Sequence, residues 1–317
     1  MVNILYITRA YSEHAGGMER LSWEFSQALR ENKEVSLEVI AYTGQRLFSP
    51  LFNLVCLADA FKRGRTADVI HIGDPILSFA GWILKRFLHK PVVVTVHGLD
   101  VTYPNPLYRL YLRLFFRNFD SYLPISAYTA KLLRAKNVHG EAEVITPGIC
   151  DRYKKEGFGQ QGLERVVGRS LVGKISLLTV GRLVSRKGQA WFVSEVLPKL
   201  PPQFVYLIAG TGPDYKNIKK AAQEHGVENR VMLLGRVSGE TLAVLYNTVD
   251  AFIQPNISAP GDVEGFGLVL LEAALCERKV FASRLEGMTD AISDGQNGCL
   301  LPSGDTEAWR ASLTAFG

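Results

Sequence analysis

The residues best placed to do chemistry lie in the segment PGDVEGFGLVLLEAALC (260–276). Glu264 precedes Gly265-Phe266-Gly267, and Glu272 lies eight positions further on, in the helix expected to begin at Leu268. Glycines allow close backbone approach, and a helix start offers free N–H groups to a phosphate. Two carboxylates facing a diphosphate would repel it, so their natural partners are hydroxyls, those of a sugar and a ribose. A helix whose acids simply face water is the plainer alternative. The segment GRLVSRKG (181–188) sends Arg182 and Lys187 from one loop. Two cations suit a diphosphate, since charge-assisted bonds contribute about 1.5–3 kcal/mol each; a solvated basic loop is the alternative.

Weaker signals accompany these. Gly16 and Gly17 in HAGGMER precede a helix expected to open near Met18, but the spacing is not G-x-G-x-x-G, so no standard dinucleotide fingerprint is present. A simple turn would explain the pair equally well. His97 and Asp100 stand in VHGLD, after an apolar run, and GTGP (210–213) reads as a tight turn into a helix. No Asp-x-Asp occurs; its nearest mimics are Glu141-Ala-Glu143 and Asp262-Val-Glu264, and no metal or other cofactor is expected.

What must position these groups is an alternation of short β-branched runs with longer amphipathic ones, the pattern of parallel α/β sheets. The expected strands are 2–8, 36–42, 67–73, 91–98, 121–126 and 142–148, then 174–183, 204–210, 231–236, 250–255 and 279–283. Their lack of polar alternation fits sheets covered on both faces. The candidate groups lie at or beyond the carboxyl ends of these strands, where open parallel sheets bind ligands. The expected architecture is α/β, two Rossmann-like domains with parallel sheets facing a cleft: residues 1–150, a charged linker region at 151–173, and residues 174–317. Helix is expected over 305–316.

Length and composition agree. At about 150 residues per domain, 317 residues make two. Hydrophobic residues at 47% and charged residues at 21% exclude a disordered chain. The charge-free run Leu47–Ala58 is far short of the roughly 20 residues that span a bilayer. MVNILYITRA has no basic region before its apolar run, so it reads as a first strand and not as a signal peptide, which makes a cytoplasmic protein the expectation. Cys56, Cys150, Cys276 and Cys299 are widely separated and read as free thiols. The net charge of +5 is too small to imply nucleic acid.

Read in order, GGMER, VHGLD, PIS, TPG, GRLVSRKG, GTGP, LGRV and EGFGLVLLE resemble family four glycosyltransferases of the glycosyltransferase-B fold. The resemblance runs from the first strand to DGQNGCLLPSGD. It implies transfer of a hexose from a nucleotide diphosphate sugar, of UDP or GDP type, to a saccharide or lipid-linked acceptor, with retention of anomeric configuration. On the same basis Arg182 and Lys187 would grip the diphosphate and stabilise its departure, and Gly17 would approach it with its backbone. Glu272 would bind the ribose. Glu264 and the backbone of Gly265, Phe266, Gly267 and Leu268 would hold the sugar, with His97 contacting it. Arg236 and Val237 would line the base, and Asp100 and Ser126 would stand on the acceptor side. A nucleotide-sugar epimerase or hydrolase on the same scaffold, and a catalytically silent binding subunit, are the alternatives. Family members usually continue past DGQNGCLL into helices that cross back to the first domain, whereas this sequence reaches Gly317 after one further helical segment.

One basic patch is left over. Residues 42–140 hold 13 Lys/Arg against 5 Asp/Glu. Within YRLYLRLFFRNF (108–119), Arg109, Arg113 and Arg117 recur at four-residue spacing among Tyr108, Tyr111, Phe115, Phe116 and Phe119, and the segment 47–65 has a similar character. Such a face suits either water, with the aromatics in the core, or peripheral contact with the inner face of an anionic membrane.

Overall fold

The computed structural model describes residues 1–13, 16–42 and 51–317. The chain divides into two compact units, Met1–Pro147 and Gly148–Gly317. Each contains one six-stranded sheet in which every pairing is parallel, flanked by helices.

The first unit contains β1 (Val2–Thr8), β2 (Val35–Ala41), β3 (Val69–Ile72), β4 (Val92–Val96), β5 (Ser121–Pro124) and β6 (Glu141–Ala142), in the order β2-β1-β3-β4-β5-β6. Ile7, Ile70, Ile72, Val92, Val94 and Val96, in register on one face of its central strands, are all inaccessible to solvent, and Tyr6 and His71 are buried on the other face. The sixth strand, expected over 142–148, is a two-residue ladder, after which only alternate amides (Glu143 to Tyr122 O, Ile145 to Pro124 O) keep bonding to β5.

The second unit contains β7 (Ile175–Val180), β8 (Phe204–Ala209), β9 (Val231–Gly235), β10 (Ala251–Gln254), β11 (Lys279–Ser283) and β12 (Cys299–Leu301), in the order β12-β11-β10-β7-β8-β9. Counted within the unit, this is the 3-2-1-4-5-6 order of doubly wound nucleotide-binding sheets. Trp309, on the helix Thr306–Phe316, is fully buried against Phe192 and brings that helix into the core.

Two details depart from the expected elements. Residues 151–173, read as a linker, lie within the second unit and carry a helix, Gln160–Val167, with Leu163 buried and Gly168 ending it at φ 75°. Strand β12 was not expected, because three apolar residues between glycine and proline give too little periodicity to read. Among the described residues no helix is long and apolar enough to cross a membrane.

Candidate functional site

In a doubly wound sheet the ligand crevice opens where the chain order reverses, beyond the carboxyl ends of the two strands flanking that point. In the second unit those strands are β7 and β10. The loop after β7 carries Arg182, Arg186 and Lys187; the chain after β10 carries Asn256, Asp262 and Glu264.

Backbone packing fixes the first of these loops. Gly188 sits at φ 67° so close to the next loop that a Cβ would lie 1.8 Å from Pro255 O. A Cβ on Gly210 would lie 1.8 Å from Gly181 O, and one on Gly212 would lie 2.1 Å from Leu183 O. The GTGP turn therefore has a second task beyond turning: its backbone abuts the GRL backbone, and Leu183 N donates to Thr211 O at 3.0 Å. Ile257 N donates to Arg186 O at 2.9 Å and closes the other side.

On this base Lys187 Nζ reaches Glu264 Oε2 at 2.5 Å, with both side chains largely buried. Arg186 pairs with the same carboxylate oxygen through Nη1, and its Nε donates to Asp262 Oδ1 at 2.8 Å. Asn256 Nδ2 donates to Glu264 Oε2 at 3.2 Å, and Glu264 N donates to Glu286 Oε2 at 2.5 Å. Burial alone would raise the Glu264 carboxyl, but Lys187 and Arg186 outweigh it and hold the group down to about 2. Burial raises Glu286, which faces the Glu264 and Asp262 carboxylates.

The remaining expected donor residues lie in the same unit. Arg182 is exposed, and no described residue pairs with it. Gly265 is half-buried, Phe266 is buried, and Gly267 opens the helix Leu268–Leu275 with a left-handed φ of 93°. Glu272, in the second turn of that helix, is 7% exposed and accepts from Tyr246 Oη at 2.8 Å. Arg236 is exposed just beyond β9, beside half-buried Val237.

The first unit reverses its strand order between β1 and β3. There Arg9 Nε meets Asp74 Oδ1 at 3.0 Å, and Asp74 also caps the turn at Pro75 by accepting from Ile76 N. Asp74 is fully buried, and its Oδ2 has no hydrogen-bond partner among the described residues. After β4, His97 Nε2 lies 2.9 Å from Gly73 O, which can only accept, so that nitrogen carries a proton. The backbone N–H groups of His97 and Gly98 donate to the two oxygens of Asp100, each at 2.8 Å. Burial raises the Asp100 carboxyl. Ser126 Oγ accepts from Thr129 N at 2.9 Å, capping the helix Ala127–Arg134. Gly16 and Gly17 are exposed at the start of the helix Gly17–Glu31, Gly17 at φ 52°; His14 and Ala15 of the HAGGMER motif lie outside the described residues.

The structure thus joins Lys187 to Glu264 and His97 to Asp100, whereas Arg182, Arg236, Ser126 and the Gly16–Gly17 pair stand apart from those contacts. Sequence reasoning missed Arg186, Asn256, Asp262 as a partner, Glu286, Arg9 and Asp74. Arg186 lay inside a quoted motif, and Arg9 and Asp74 follow expected strands, so the strand-end rule could have found all three.

Comparison with known proteins identifies the family and the fold. Residues 15–152 match the family described as Glycosyltransferase Family 4, and residues 163–316 match Glycosyl transferases group 1, which together take in nearly the whole chain. The chain belongs to the group 1/family 4 glycosyltransferases. This glycosyltransferase chain is 28% identical over 240 residues to the GDP-mannose-dependent alpha-(1-6)-phosphatidylinositol monomannoside mannosyltransferase of Mycolicibacterium smegmatis, covering 73% of this chain and 62% of that protein. It spans about three fifths of the length of the first curated relatives it matches. The HepE protein of Anabaena in complex with UDP-glucose has TM-score 0.75 at 20% identity, covering 99% of this chain and 89% of HepE. Sucrose-phosphate synthase of Thermosynechococcus elongatus has TM-score 0.77 at 20% identity, with the same coverage. These neighbours establish the glycosyltransferase-B fold for the glycosyltransferase chain.

Proposed function

We propose that this chain transfers a hexose from a nucleotide diphosphate sugar to a saccharide or lipid-linked acceptor, with retention of configuration and without a metal, as a cytoplasmic enzyme. The observation that carries the reading is the buried Lys187–Glu264 pair, braced by Arg186 and flanked by unpaired Arg182, beyond the strands β7 and β10. That position is where a doubly wound sheet receives a diphosphate. HepE is described in complexes with UDP and with UDP-glucose, and the mycobacterial relative is described as GDP-mannose-dependent, so the donor class is supported from two directions.

In this reading Arg182 and Lys187 take the diphosphate, and their charge offsets the negative charge that grows as the sugar leaves. Glu264 and the Gly265–Leu268 backbone take the sugar hydroxyls. Glu272, with one oxygen held by Tyr246, takes the ribose. Arg236 and Val237 line the base. In the first unit Asp100 and Ser126 belong to the acceptor side; Asp100 also holds the backbone of the loop at His97 and Gly98, and Ser126 caps the helix Ala127–Arg134. The metal-free course rests on the cations supplied by the chain.

A panel of nucleotide sugars screened by thermal shift, followed by transfer and donor-hydrolysis assays on the donor that stabilises most, tests the reading. Transfer exceeding hydrolysis, undiminished by EDTA, is expected. Hydrolysis or epimerisation without transfer would replace it with the isomerase or hydrolase reading; strict dependence on manganese or magnesium would remove the metal-free course. Neither the paired acids nor the exposed Arg182 favours a silent subunit, which would bind no donor in that screen.

A further inference from the structure

The helix Pro106–Phe115 in the first unit presents an outward face that no part of the described chain covers. At about 100° per residue, that face divides lengthwise into two strips. One holds Arg109 and Arg113, continued by Arg117 just past the helix end. The other holds Leu107, Leu110 and Leu114, which are 78%, 52% and 55% exposed. The aromatics beside them in sequence point the other way: Phe116 and Phe119 are buried, and Tyr108 and Tyr111 pack against the core. This corrects the grouping of arginines with aromatics suggested by the sequence; the apolar partners of the cations are leucines.

A second element adds to the charge. Lys136, after the helix Ala127–Arg134, joins Arg109, Arg113 and Arg117 around a shallow hollow of about 50 Å³ floored by Leu112 and Phe116. None of the four cations has an acidic partner among the described residues. Burial and the neighbouring Arg109 draw the Lys136 ammonium below its usual range, so an anion placed there would be welcome. Surface cations on an ordinary solvated helix are normally interspersed with acids; this helix has none.

We propose that this face docks on an anionic lipid bilayer, with Leu107, Leu110 and Leu114 entering the interface and a headgroup phosphate seated among Arg109, Arg113, Arg117 and Lys136. Charge complementarity selects the occupant. Four unpaired cations oppose a second copy of the same face, and the leucine strip gives nothing to a nucleic acid, whereas an interfacial helix needs cations beside exposed leucines. The segment 47–65, the other basic stretch, has residues 47–50 outside the described residues and is not needed for the surface. The inference is independent of the transferase reading.

Co-sedimentation of the full chain with phosphatidylcholine vesicles, with and without phosphatidylserine, tests it at low and high salt. Binding to the anionic vesicles alone, lost at high salt, is expected. Arg113→Ala with Lys136→Ala should weaken binding about 25-fold, at roughly fivefold per cation. Leu110→Asn with Leu114→Asn should weaken it about tenfold or more through lost apolar insertion. Lys216→Ala with Lys219→Ala, which removes equal charge from the second unit, should leave it unchanged. Thermal melts of every variant should match the parent, since the altered side chains are exposed or half-buried and unpaired. No binding to anionic vesicles at low salt, equal binding to neutral ones, or an unaffected leucine variant would each overturn the proposal. Release from vesicles by millimolar inorganic phosphate would reassign the hollow to a free anion and overturn it as well.

Discussion

Arg182 and Lys187 carry the same charge in very different surroundings, and that contrast separates catalytic loss from structural loss. Arg182→Ala should slow transfer on the order of 10²-fold while leaving the melting temperature unchanged, because the side chain is exposed and unpaired. Lys187→Ala should slow transfer at least as much and also lower stability, because it leaves Glu264 buried with only Arg186 and Asn256 on its Oε2. Breaking a buried pair costs about 3–5 kcal/mol, so thermal melts alongside rates distinguish the two roles; a near-normal rate in Lys187→Ala would remove it from the chemistry. Glu264 adds a pH dependence. Its folded carboxyl is held at about 2, below the ordinary 4.5, so the pair stabilises the fold fully above about 4.5 and is lost as pH falls toward 2. Glu264→Gln should flatten that acid limb in urea melts at successive pH values. At this scale the sequence was half legible. Glycines and strand ends marked Lys187 and Glu264, but nothing linear says that a side chain after β7 will meet one some eighty residues later; Arg186 and Asp262 were in plain view and lacked only that pairing.

The elements were easier to foresee than the contacts between them, because a strand buried on both faces needs an unbroken apolar run and each crossover needs a helix. Strands 2–8 and 279–283 have the extents that their sequences suggest. Failures came where the run was short: β12 has three residues, β6 two, and the helix Gln160–Val167 lies in a charged stretch where a single leucine faces inward. Loop packing was hidden too. GTGP read as a turn because the text cannot show that Gly210 and Gly212 abut the backbone of another loop. The same close approach makes a prediction. Gly188→Ala places a Cβ against Pro255 O, so it should abolish cooperative unfolding or lower the melting temperature sharply. Gly17→Ala, also at positive φ but in open space, should cost only about 1–2 kcal/mol. Equal losses in calorimetry would show that conformation, and not crowding, governs Gly188.

Across the whole molecule the two units repeat one device: at the point where strand order reverses, a cation after the unit's first strand meets an acid after the strand beside it. In the first unit this is Arg9 with Asp74, in the second Lys187 with Glu264. Each unit also has its own hydrophobic core, so unfolding should resolve into two transitions in calorimetry. A nucleoside diphosphate should raise chiefly the one belonging to Gly148–Gly317, by about 2.7 kcal/mol at a hundredfold excess over Kd. A shift of the other alone would place the nucleotide elsewhere. The glycine contacts at Gly188, Gly210 and Gly212 have a consequence for how such a protein changes over generations. They weld the three loops beneath the proposed phosphate seat into one casting that tolerates little rewriting, while Arg236 is exposed just beyond β9. If Arg236 and Val237 line the base as proposed, drift toward a new base would be written at that edge, and a mutagenesis library that spares the casting and randomises residues 236–237 should redirect the donor.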